Sequence, residues 1–150
     1  MKHLVMSKPQ CMLYSAAMVL DMEVDELITL IGHNGMEKID DNGEPYCFVS
    51  IHIQEIQTVA ARFGRCFYPI DLIPVMGHLQ PRPLYKICGQ DYAVRFLHMV
   101  KGKKGLLCGR SVRDVPHTVA FEDETIYDPN GTKYPLGQFR TQTAWILGEG

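Results

Sequence analysis

Residues 117–129, HTVAFEDETIYDP, decide how this chain is read. Two runs enriched in β-branched and aromatic residues flank an acidic break, the pattern of a hairpin. A turn centred between Glu122 and Asp123 pairs the runs symmetrically, so that Phe121 faces Glu124, Val119 faces Ile126 and His117 faces Asp128. Directly opposed residues of an antiparallel pair hold their Cβ atoms about 4.5–5.5 Å apart on one face. That register sets an imidazole beside a carboxylate. Glu-Asp lacks the glycine or asparagine that pins a two-residue loop, so the register rests on symmetry, and an odd-length loop moves it. Asp128-Pro129-Asn130-Gly131 then reads as a turn, with Asp first and Pro second. Such a turn also fixes the carboxylate.

Further strands are expected on either side of the hairpin, at GLLCGRSV (105–112) and AWIL (144–147), with a short helical turn around 135–141. RCFYPIDLIPV (65–75) is a β-type segment leading into a Pro-rich region around 74–83. Upstream the periodicity changes. In PQCMLYSAAMVL (9–20), Leu13, Ala16, Ala17 and Leu20 recur at i, i+3, i+4 and i+7, which predicts a buried helix over 11–21. A second helix is predicted from an N-cap at Asp25 to a stop at Gly32. A third runs from a Ser50 cap to Gly64 with Ile53, Ile56, Ala60 and Phe63 inward, and a fourth spans 91–101 with Ala93, Phe96, Leu97 and Val100 on one face. Residues 33–49 read as loop. Helices first and strands second is an α+β order in one domain, 1–150.

Cys11 begins the first helix. There the free backbone N–H groups and the positive end of the helix dipole favour a thiolate, the form of cysteine that acts as a nucleophile. His117 can take its proton, and Asp128 can orient the imidazole, which makes a Cys-His-Asp arrangement. Taken singly, each residue has a plainer reading: a solvated histidine at a strand start and an aspartate that opens a turn.

Bulk properties narrow the partners. The chain has 150 residues and a net charge of −2, with 46% hydrophobic and 21% charged residues. No basic surface announces nucleic acid and no polybasic segment announces anionic lipid. No apolar run is long enough to cross a bilayer, and MKHLVMSKPQ has neither the apolar core nor the cleavage site of a signal peptide. Five cysteines, at 11, 47, 66, 88 and 108, are an odd and scattered set without a CxxC pair. That disfavours a disulfide framework or a zinc ribbon, and a reducing cytoplasm is the expected setting. Cys66, Cys88 and Cys108 lie in apolar, strand-like surroundings and are expected to be buried.

The Cys11 region, with Ala17-Met18-Val19-Leu20 and then EVDELITLIG (23–32), resembles the start of papain-like cysteine peptidases of the bacteriocin-processing, double-glycine leader type. HTVAFEDETIYDPNGTKYPLGQF (117–139) resembles that family's second motif: a histidine strand, a hairpin, an Asp-Pro pair and a short helix with a buried Phe. HIQEIQTVAARFG (52–64) is similar to its middle helix. The resemblance covers most of the chain in order. It implies a papain-like fold, with N-terminal helices packed on a C-terminal antiparallel sheet. It also implies hydrolysis of a peptide, isopeptide or amide bond in a peptide or protein substrate, without metal or cofactor. By the same resemblance Cys11 is nucleophile, His117 general base and acid, and Asp128 the orienting group. Two departures stand out. Met12 replaces the small residue that usually follows the cysteine. Where the family has an oxyanion-hole glutamine, this chain has His3-Leu4-Val5-Met6, so Gln10 is the nearest substitute. The sequence leaves open a thiol acyltransferase or deamidase on the same fold, and a binding module that has lost catalysis. It leaves the oligomeric state undecided.

Other groupings fit standard sites poorly. Asp40-Asp41-Asn42-Gly43-Glu44 lacks the full spacing of a calcium loop. His33, Cys47 and His52 match no usual zinc spacing. Lys101-Gly102-Lys103-Lys104-Gly105 lacks the Walker pattern and reads as a basic turn.

Overall fold

The computed structural model describes residues 1–35, 51–71, 86–87, 89–111 and 113–149. The expectations for 36–50, which include Cys47, the acidic loop and the Ser50 cap, lie outside the described residues. So do Cys88 and the Pro-rich region around 74–83.

The order of elements is α1 (Cys11–Val19), α2 (Val24–Ile31), α3 (Ile53–Arg62), β1 (Arg65–Asp71), β2 (Lys86–Ile87), β3 (Gln90–Asp91), α4 (Tyr92–Val100), β4 (Lys104–Arg110), β5 (Pro116–Glu122), β6 (Thr125–Tyr127), β7 (Lys133–Pro135), a 3₁₀ turn (Leu136–Gln138) and β8 (Arg140–Glu149). This is an α+β protein. Among the described residues, six strands form an antiparallel sheet in the order β1-β8-β4-β5-β6-β7, and β2 and β3 form a separate ribbon.

Alternation along the strands builds two cores, one on each face of the sheet. Phe67, Leu106, Ala120 and Leu147 point toward α1, α2 and α3 and meet Leu13, Ala16, Ala17, Leu27, Ile56 and Val59. Ile70, Leu107, Val119, Phe121, Ile126, Ala144 and Ile146 point the other way and meet Phe96 and Val100 of α4, with Leu136 and Phe139. α1 is buried nearly all round, Ser15 included, which explains its apolar sequence.

Several details differ from the sequence reading. β1 and α4 interleave the two halves, so the chain is not strictly helices and then strands. α2 begins two residues earlier than expected, with Glu23 as N-cap, because Asp25 and Glu26 suit the first turn and its positive dipole end. Gly32 does end it, in the left-handed conformation at φ 98°. α3 is capped at His52 and ends at Arg62. Phe63 therefore falls outside the helix and is exposed, while Val59 takes its place in the core. In α4, Phe96 and Val100 are buried, but Leu97 faces outward.

The hairpin is in a different register. Glu122 pairs with Thr125, Phe121 with Ile126 and Ala120 with Tyr127, so the loop is Asp123-Glu124 rather than Glu122-Asp123. The expected pairings of Phe121 with Glu124, Val119 with Ile126 and His117 with Asp128 are thus corrected. Asp123 accounts for the shift. It adopts φ 55°, a left-handed state that aspartate tolerates better than glutamate. Its Oδ1 accepts from the Gly102 N–H at 2.8 Å, and its own N–H donates to Lys103 O at 2.7 Å. Moving the turn centre by one residue moves every partner by two, which preserves the face each side chain occupies.

Candidate active site

That preserved sidedness keeps His117 and Asp128 together. His117 is the second residue of β5 and shares a face with Val119 and Phe121. Asp128 follows β6, on the face of Ile126. The ladder stops at Tyr127, and the chain then turns, with the Asp128 N–H donating to Thr132 O at 2.9 Å and the Gly131 N–H to Asp128 O at 3.0 Å. The N-terminal segment clamps this turn from outside: the Met6 N–H donates to Pro129 O at 2.8 Å, and His3 Nε2 lies 2.6 Å from Asp128 O. Asp128 is 3% exposed.

His117 Nε2 donates to Asp128 Oδ1 at 2.9 Å. The same oxygen accepts the Asn130 N–H at 3.0 Å, and Oδ2 accepts the Tyr134 hydroxyl at 2.5 Å. Three donors converge on one buried carboxylate. Burial pushes the Asp128 pKa up, but the hydrogen bonds from His117, Tyr134 and Asn130 outweigh it and bring the net value down. The Tyr134 phenol is correspondingly harder to ionise, through burial and then its bond to Asp128. Phe139 packs near the imidazole, with ring centroids 6.3 Å apart.

With Nε2 engaged by Asp128, Nδ1 is the nitrogen left for the sulfur. Cys11 and His117 line one half-open cavity of about 340 Å³, in the size range of small-ligand sites. Burial raises the Cys11 pKa. Hydrogen bonding from His117, the backbone N–H of Thr118, the charge of His117 and the backbone N–H of Met12 together lower it further, so the thiol is more acidic than usual. His117 is raised from 6.5 to about 9, first by its bond to Asp128 and then by Cys11. Both shifts run in the direction that favours a thiolate beside an imidazolium over the neutral pair, and the two groups titrate as a coupled pair.

α1 is fastened to β5 by the buried Ser15 hydroxyl, which donates to Thr118 O at 3.1 Å. This bond sets the height of Cys11 above the strand that carries His117. Gln10, the residue before α1, also lines the cavity, and its side-chain amide donates to Asn34 O at 2.9 Å. Asn34 and Gly35 form the facing wall. His33 holds that wall: its Nδ1 accepts from the Gly35 N–H at 3.0 Å, and its Nε2 lies 2.6 Å from Glu55 Oε2. The floor is made where β4 and β8 slip register between Cys108 and Gly109, a bulge that leaves Gln142 unpaired at the cavity. Gly109 is required there, since a Cβ would lie 2.0 Å from Arg140 O.

The structure therefore brings together Cys11, His117, Asp128 and Gln10, the residues singled out from sequence. Sequence reasoning did not pick out Tyr134, Ser15, Gly109 or Gln142. Tyr134 was visible only as an aromatic six residues after Asp128, and no local pattern flags the bulge at Gln142. Among the described residues no cluster of His, Cys, Asp or Glu could hold a metal ion, and no helix is long and apolar enough to cross a membrane. No protein-family model and no curated protein sequence matches this chain.

Proposed function

We propose that this chain is a papain-like thiol hydrolase that cleaves a peptide, isopeptide or amide bond. The observation that carries the reading is the 2.9 Å His117–Asp128 pair, with His117 lining one cavity together with Cys11 at the start of a buried helix. Cys11 is the nucleophile, His117 the general base and acid, and Asp128 the group that fixes the ring. In the first step the sulfur attacks the carbonyl carbon and the oxygen takes up negative charge. His117 then protonates the leaving amine as the carbon–nitrogen bond breaks, which leaves a thioester. Water, deprotonated by His117, attacks the thioester and releases the acid and the thiolate. The oxyanion would be met by the Cys11 backbone N–H, which has no partner within the helix, and by the Gln10 amide hydrogen not given to Asn34. A reducing, cytoplasmic setting belongs to the same proposal, because the mechanism needs a free thiol.

A second reading, a binding module that keeps the fold without turnover, draws on the Gln10 amide being engaged with Asn34 O and on bulky Met12 lining the cavity. Panels of peptide and isopeptide substrates, with an activated ester as a general acyl donor, separate the two. Turnover that disappears in Cys11→Ala supports the hydrolase. Binding of a peptide without turnover, unchanged in Cys11→Ala, supports the module.

A further inference from the structure

A second thiol lines the cavity and has no part in the hydrolysis proposed above. Cys108 lies in β4, directly across from Thr118 in β5. Strand alternation places Cys108 with Leu106, and Thr118 with Ala120, on the face that α1 covers. Thr118 Oγ1 donates to Cys108 Sγ at 3.7 Å, and the backbone N–H of the same Thr118 acts on Cys11. The two sulfurs thus flank one residue and open on one space, and both are free thiols. Their states are unequal. Burial, and then the charge of Cys11, keeps the Cys108 thiol protonated above its ordinary range despite the bond from Thr118, whereas Cys11 is the more acidic of the two. Attack and resolution are thereby divided between them.

We propose that Cys11 and Cys108 form a dithiol modification site, in which hydrogen peroxide oxidises Cys11 and Cys108 resolves the product as an intramolecular disulfide. The Cys11 thiolate attacks one peroxide oxygen, the O–O bond breaks, and hydroxide leaves a sulfenic acid on Cys11. The Cys108 sulfur then attacks the sulfur of Cys11. The S–O bond breaks, and hydroxide departs as water with the Cys108 proton. Two thiols lose two electrons and peroxide becomes two waters. The disulfide closes the site reversibly and spares Cys11 from sulfinic acid. The proposal shares with the hydrolase reading only the reactive thiolate at Cys11.

The test treats the full chain with substoichiometric to excess hydrogen peroxide, blocks the remaining thiols and maps peptides by mass. In the wild type the expected product lacks two hydrogens, joins the peptides of Cys11 and Cys108, and removes two of the five thiols together. Dithiothreitol then restores labelling of Cys11. In Cys108→Ser, and independently in Cys108→Ala, Cys11 gains oxygen instead, and about tenfold less of its labelling returns on reduction, because sulfinic acid is not reduced by thiols. Cys66→Ser should behave as the wild type. The proposal fails if wild-type Cys11 takes up oxygen with no Cys11–Cys108 bond, or if its partner is another cysteine. If the reduced protein shows no selectively reactive Cys11 at all, the hydrolase reading falls with it. If Cys11 is reactive but unresolved, only the dithiol falls.

Discussion

Replacing Asp128 with asparagine keeps the shape of the side chain and removes the charge that holds the His117 proton. His117 is raised from 6.5 to about 9, with the bond to Asp128 as the leading cause. At 1.36 kcal/mol per unit, that difference corresponds to about 3 kcal/mol of preference for the imidazolium. Solvent screens this little, since the two side chains are 14% and 4% exposed. An asparagine oxygen at the Oδ1 position can still accept from His117 and Asn130, and its NH₂ can donate to the Tyr134 hydroxyl. The geometry therefore survives, and the charge contribution is what disappears. Histidine ring signals followed by NMR against pH should show the His117 titration in Asp128→Asn at least about one unit lower than in the wild type. Stability follows with a definite sign. A pKa raised on folding adds stability that is complete below pH 6.5 and is lost as pH rises through about 9. The difference in urea midpoint between wild type and Asp128→Asn should then be widest near pH 6 and should narrow above pH 9. A variant whose His117 still titrates near 9 would refute the assignment of Asp128 as the group that charges it.

Other substitutions probe the scaffold. Tyr134→Phe deletes a hydroxyl bonded to a buried carboxylate and should cost about 1.5–3 kcal/mol in urea unfolding at pH 7. Because the Asp128 pKa is lowered on folding, that cost should shrink as pH falls through the carboxylate range. Gly109→Ala drives a Cβ to 2.0 Å from Arg140 O, a backbone atom that no rotamer can relieve, and should destabilise by about 3 kcal/mol. Gly137→Ala meets nothing within 4 Å and should stay within about 0.5 kcal/mol of the wild type. Ser15→Ala removes the bond to Thr118 O and should cost about 1 kcal/mol and reduce turnover by displacing α1 on β5.

Periodicity carried most of what could be known beforehand. The helix at Cys11 was legible because Leu13, Ala16 and Ala17 fall on one stripe, and the strands around His117 because β-branched and aromatic residues are concentrated there. The His117–Asp128 meeting was legible although its register was misjudged, since a turn error that shifts partners by two leaves sidedness intact. The turn itself was not legible, because the left-handed state of Asp123 depends on Gly102 and Lys103, twenty residues upstream. For Phe63, the helix ends one residue before it. Gly109 and Gln142 were illegible for a related reason: a bulge is a property of two strands, β4 and β8, that the sequence holds thirty residues apart. Tyr134 becomes meaningful only once the Asp128–Gly131 turn folds back.

The central claim is that His117 holds Cys11 as a thiolate, and the pH dependence of Cys11 alkylation measures it most directly. Iodoacetamide labelling of Cys11, followed by peptide mass from pH 5 to 10, should show reactivity persisting below the range of an ordinary thiol, about 8.5. In His117→Ala, burial acts without its main opponent, and the curve should move to higher pH with a clear drop in rate at pH 7. A wild-type curve that matches an ordinary thiol and does not move in His117→Ala would contradict the account.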